Sequence, residues 1–231
     1  MTMRMLVHFS KENDLRFISH LDMVHAMERA LRRADIPMAY SKGFSPHAKI
    51  SFSAPTPLGI PSSAEYMDVH LVKPLSAKIF VQRLNDVLPS DMHVLEAMEI
   101  DDDVPGVLGK AAIGCYTIRP YESVQWISQS HINVLMSMND IIMEKRTKKG
   151  LKEINIRPCI KELILMREGQ YITTKLLLPS VGGINPDILL EAFNIYTDVR
   201  TDVGDMAIHK DDILLEDGRV LLTEQSSWVN L

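Results

Sequence analysis

Along the first hundred residues the spacing of apolar side chains switches between two periods, and this switching limits the folds open to the chain. Residues 3–9 (M-R-M-L-V-H-F) mix apolar and polar side chains in a strand-like way. Ser19 followed by Asp22 is a capping-box-like start. Leu21, Val24, Met27, Leu31 and Ala34 then recur at three- and four-residue spacing, predicting a helix over 19–34 that ends before Pro37. Segments 47–53 and 64–72 alternate again, and the proline-rich A-P-T-P-L-G-I-P-S-S between them lacks the backbone donors a strand needs. Ile79, Phe80, Leu84, Val87 and Leu88 return to helical spacing, and M-H-V-L-E-A-M-E-I returns to a strand pattern.

That order, β-α-β-β-α-β, predicts an α+β fold of the ferredoxin-like kind, with two helices on one face of an antiparallel sheet. The acidic, glycine-containing residues 101–112 read as a linker. Beyond them a strand at 113–119, a helix at 123–137, strands at 141–146, 153–157, 160–167 and 170–178, a helix after Asn185-Pro186 and a strand near 206–215 approximate the same order with an extra basic ribbon. The expected organisation is two ferredoxin-like antiparallel-sheet halves in tandem, 1–100 and 113–231.

With 46% apolar residues the chain can bury a core. No stretch approaches the roughly 18 apolar residues of a membrane helix, and the start is too soon polar for a signal peptide, so a soluble cytoplasmic protein is expected. Cys115 and Cys159, the only cysteines, are too few for a zinc ribbon or an iron–sulfur cluster and read as ordinary buried or half-buried residues. No cofactor is expected. The net charge of -5 conceals local excesses: residues 144–161 hold seven Lys or Arg against two Glu.

Three clusters invite a functional reading. On the first helix Asp22, His25, Arg29 and Arg32 share a face, with Arg33 beside them; a solvated face matched to the helix dipole accounts for them equally well. In S-K-G-F-S-P-H, Lys42 and His47, followed by Lys49, crowd a turn with exposable N–H groups suited to phosphate. Phe44 in its middle can stack a base, although anchoring the turn in the core is the more frequent role of such a ring. The third cluster, E-K-R-T-K-K-G-L-K-E-I-N-I-R-P-C-I-K, places Lys145, Arg146, Lys152, Arg157 and Lys161 on a β-ribbon around a Lys148-Lys149-Gly150 turn. Edge-strand protection is the bland reading and phosphate tracking the functional one. His20 and His47 are the weak catalytic candidates, as a general base. No metal site is expected, because His20 and Asp22 diverge by about 200° on a helix. Nucleophile and phosphate-loop motifs are absent from the sequence.

Residues 17–69, from F-I-S-H-L-D-M-V-H through Y-S-K-G-F-S-P-H-A-K to S-S-A-E-Y-M-D-V, together with I-N-I-R-P-C-I-K at 154–161, resemble the bacterial family of radical SAM-linked proteins. Members are encoded beside a radical SAM enzyme or fused to its end. The resemblance implies such an enzyme as partner, since radical SAM chemistry needs a three-cysteine cluster motif that this chain lacks. The expectation is a non-catalytic accessory module that binds structured RNA, tRNA or rRNA, through Arg29, Arg32, Arg33, Lys42, His47, Lys49, Lys145, Arg146, Lys152 and Arg157, with no membrane involvement. A protein-only adaptor docking the radical SAM enzyme and a metal-independent RNA hydrolase with a His general base are the alternatives.

Overall fold

The computed structural model describes residues 3–122, 126–147 and 150–222, and their side chains apart from 145–147. It is a mixed α+β structure whose described sheet pairings are antiparallel, with four α-helices. No described helix is long and apolar enough to cross a membrane. The chain divides into two compact units, Met1–Ala111 with Ile213–Leu231, and Ala112–Asp212.

In the first unit the elements are β1 (Met3–Lys11), α1 (His20–Arg33), β2 (Ile50–Phe52), β3 (Ser62–Leu71), α2 (Ala77–Asn85) and β4 (Met92–Asp101). Sheet order is β4-β1-β3, with the short β2 also paired to β3. Alternation along the strands aims Met5, Val7, Phe9, Met67 and Val69 at one face. Met23, Met27, Ala30, Leu31, Phe80 and Leu84 of the two helices pack into the same core. Each such fully buried side chain is worth about 1.5–3 kcal/mol. Ser19 caps α1: its Oγ accepts the Asp22 N–H at 3.1 Å and donates to the Asp22 carboxylate at 2.7 Å. The buried stripe of α1 is rotated from the expected one, because the sheet lies under Met23 and Ala30 while Leu21, in the first turn, is exposed. β2 is shorter than the expected 47–53, since hydrogen bonds closing residues 41–47 on themselves leave only Ile50–Phe52 to pair with β3.

The second unit holds β5 (Ala111–Pro120), α3 (Gln129–Ser137), β6 (Ile142–Thr147), β7 (Gly150–Asn155), β8 (Ile160–Met166), β9 (Tyr171–Leu177) and α4 (Pro186–Tyr196). β10 (Met206–Leu215) closes the sequence of strands and contains the division at Asp212. The sheet order here is β10-β5-β9-β8, and β6 and β7 form a separate two-stranded ribbon. Trp126 meets Phe193 edge-on at 6.3 Å in the core. Tyr196 ties the ribbon to α4 through both the N–H and the carbonyl of Ile142. After β9 the chain passes so close to itself that a Cβ on Gly183 would fall 1.9 Å from the Leu177 carbonyl oxygen, which only glycine tolerates.

Candidate functional site

The site grows from the chain between α1 and β2. After α1 ends, Ala39 and Lys49 are joined by a backbone bond of 2.8 Å and Lys49 accepts from the His70 N–H of β3 at 3.0 Å, so the base of this loop is part of the sheet. Ser41 closes the tip twice: its N–H donates to the His47 carbonyl at 2.9 Å and its Oγ accepts the His47 N–H at 3.0 Å. Between them Gly43 takes φ +133°, a conformation that L side chains rarely adopt, and turns the chain outward. The consequence corrects the anchoring role given above to Phe44. Its ring, carried on a closed turn with no core within reach, is fully exposed at 110% of its reference area. Lys42, His47 and Lys49 lie on the same loop, all exposed and with no ion pair among the described residues.

The basic face of α1 is divided by its neighbours. Arg32 leans toward the loop, where its Nε donates to the Tyr40 hydroxyl at 3.3 Å, and it pairs with Glu28. Arg29 and Arg33, four residues apart, turn the other way and line a cleft of about 370 Å³ with Leu15, Ile18, Ala30 and Met92. His25 is exposed.

In the second unit Lys152 is exposed on β7, opposite Lys145 of β6. The side chains of Lys145 and Arg146, and all of Lys148 and Lys149, lie outside the described residues. Arg157 and Lys161 are not on the ribbon as expected, because a 3-10 turn at Arg157–Cys159 ends it and Lys161 belongs to β8. Arg157 donates to the Met136 carbonyl at 3.1 Å, in the last turn of α3, and to the Ile160 carbonyl at 3.3 Å. Its guanidinium thus satisfies backbone acceptors inside the unit.

His20 packs edge-on against Phe52 at 5.9 Å, and His47 sits on the loop; neither has a carboxylate partner among the described residues. No group of three or more His, Cys, Asp or Glu among the described residues is arranged to hold a metal.

Two polar clusters inside the first unit gave no signal in the sequence, because their members are far apart along the chain. In one, Arg4 pairs with Asp68 at 2.9 Å and reaches the Val104 carbonyl, while His70 Nδ1 meets Asp102 at 2.8 Å. These contacts hold the start of the expected linker against the sheet. Burial pushes the Asp68 carboxyl above the ordinary range, against the pull of Arg4 and His70. In the other, Thr56 donates to Glu65, and Lys11 is buried with its ammonium lowered by desolvation, against the pull of Glu65. Neither cysteine is in a disulfide among the described residues; Cys159 is buried and Cys115 half-buried, and burial with nearby carboxylates pushes the Cys115 thiol up to about 11.

Residues 4–186 match the family described as "Uncharacterized protein conserved in bacteria (DUF2344)". No curated protein matches the chain.

Proposed function

The chain belongs to the DUF2344 family of bacterial proteins, and from that premise we propose that it is a non-catalytic module that binds structured RNA and works with a radical SAM enzyme, each unit built on the ferredoxin-like plan. One observation carries the RNA reading: the fully exposed Phe44 ring shares with the exposed Lys42, His47 and Lys49 a loop whose base is fixed in the sheet. An aromatic face between cations is what single-stranded stretches of a folded RNA require, with the ring stacking an unpaired base and the ammonium groups meeting phosphate. The fixed base limits the entropy lost on binding. Arg32, held by Tyr40, extends the positive surface.

The enzyme partner's place in this reading is the exposed apolar side chains around the start of α1. Phe17, Leu21 and Leu58 are 59%, 62% and 64% exposed. Phe17, at the end of a 3-10 turn, and Leu58 lie in segments joined by the Gly59 N–H to Arg16 carbonyl bond at 2.9 Å. Exposed apolar side chains grouped this way mark protein contacts.

Fluorescence anisotropy with labelled total tRNA tests the RNA reading. Phe44→Ala is expected to weaken binding by about 1–3 kcal/mol, the worth of one stacked base. Affinity unchanged in Phe44→Ala and in Lys49→Glu would overturn it.

A further inference from the structure

The cleft beside α1 has a composition unlike the rest of the surface. Its walls include Ile18, Ala26, Ala30, Val87 and Met92, and among the described residues its only charged lining residues are Arg29 and Arg33. No carboxylate lines it among the described residues. Of the acidic residues next to lining positions, Glu28 pairs with Arg32 and Asp91 accepts from the Asn13 amide at 3.1 Å, while Asp14 and Asp86 are not among the lining residues. Arg33 spends one donor on the Val87 carbonyl at 3.1 Å, which braces the guanidinium across the cleft mouth. Arg29 has no partner among the described residues. Four apart on a helix, the two side chains stand on the same side of α1, with Cβ atoms about 6 Å apart.

Concave, mostly apolar pockets of about 300–1,000 Å³ with a few convergent polar groups are the usual form of small-molecule sites, and this cleft is at the lower end of that range. Two guanidinium groups without a counter-charge select an oxyanion, which they grip through paired N–H donors. The apolar walls select what the oxyanion is attached to. We propose that this cleft binds a small anion with an apolar body, an aryl or short alkyl carboxylate or phosphate monoester, with its headgroup between Arg29 and Arg33 and its body against Ile18, Ala30 and Met92. The lining of this cleft shares no residue with the loop that carries Lys42, Phe44, His47 and Lys49. The site is therefore separate from the loop around Phe44 and does not rest on the RNA reading.

Isothermal titration of the full chain tests this with benzoate and phenyl phosphate as complete probes, acetate and inorganic phosphate as headgroups alone, and benzyl alcohol as body alone. A complete probe is expected to bind at least about tenfold more tightly than either part, and the tighter of the two identifies the headgroup. Arg29→Gln removes one charge-assisted contact and should weaken the complete probe about tenfold. Ala26→Phe fills the half-buried lining and should abolish probe binding while tRNA affinity stays within about twofold. Complete probes binding no better than their headgroups, or binding unchanged in Ala26→Phe with the folded structure intact, would overturn the proposal.

Discussion

In each unit the first helix is followed by a basic segment, and the two segments use their cations differently. In the first unit, α1 is followed by the loop that carries Lys42, Phe44, His47 and Lys49 before β2; in the second, α3 is followed by the β6–β7 ribbon and Arg157 before β8. The loop holds its own backbone closed and leaves its side chains in solvent. The second segment spends Arg157 on the Met136 carbonyl at the end of α3 and on the Ile160 carbonyl at the start of β8. Similar clusters of Lys and Arg in the sequence therefore stand for opposite things. A cation with a backbone acceptor nearby becomes part of the fold, and one on a closed turn remains available to an anion.

The largest effect that would sharpen this contrast belongs to the first segment. Lys42→Glu, Phe44→Ala and Lys49→Glu combined should lower RNA affinity by about 100-fold or more at low salt, with the thermal midpoint nearly unchanged, as read by anisotropy and calorimetry. Arg157→Met should do the reverse. It strands two carbonyls and should cost about 2 kcal/mol in urea unfolding, while the folded fraction keeps its RNA affinity. Lys152→Glu on the ribbon should fall between, with a loss of about threefold or less in anisotropy if the ribbon only borders the RNA surface; a loss as large as that of Lys49→Glu would erase the contrast.

The smallest effect is a difference in alkaline behaviour between the units. The Lys11 ammonium is depressed by burial, so the native state sheds this proton before the unfolded chain does, and this residue's contribution to stability rises as pH climbs toward 10.5. The Cys115 thiol is raised to about 11, so the unfolded chain ionises first and stability is lost as pH rises from 9 toward 11. Urea midpoints at pH 8 and pH 10.5 should therefore shift in opposite directions when Lys11→Met and Cys115→Ser are compared with the parent chain. Shifts of the same sign would contradict the assignments.

Much of this architecture was legible in the sequence, since strand and helix periods are local properties. Ser19 caps α1 as its spacing with Asp22 suggested, and α4 begins at the expected Pro186. Buried stripes were less legible. Which face of α1 is covered depends on where the sheet lies, so Leu21, spaced like a core residue, is in solvent and Met23 is not. Phe44 was misassigned for a related reason: an aromatic ring in a turn anchors it only if the turn lies over a core, and the Ser41–His47 closure with Gly43 at positive φ points it away. The Arg4–Asp68 pair, 64 residues apart, and the cleft across α1 come from tertiary placement, which no local spacing announces.

The most direct test of the account is the salt dependence of tRNA binding by the parent chain and by Lys42→Ala/Lys49→Ala. Binding through phosphate contacts predicts a steep linear fall of log K with log salt, with a slope shallower by about two in the variant. Equal slopes would show that these lysines do not meet phosphate, and a flat parent slope would contradict an RNA surface on this loop.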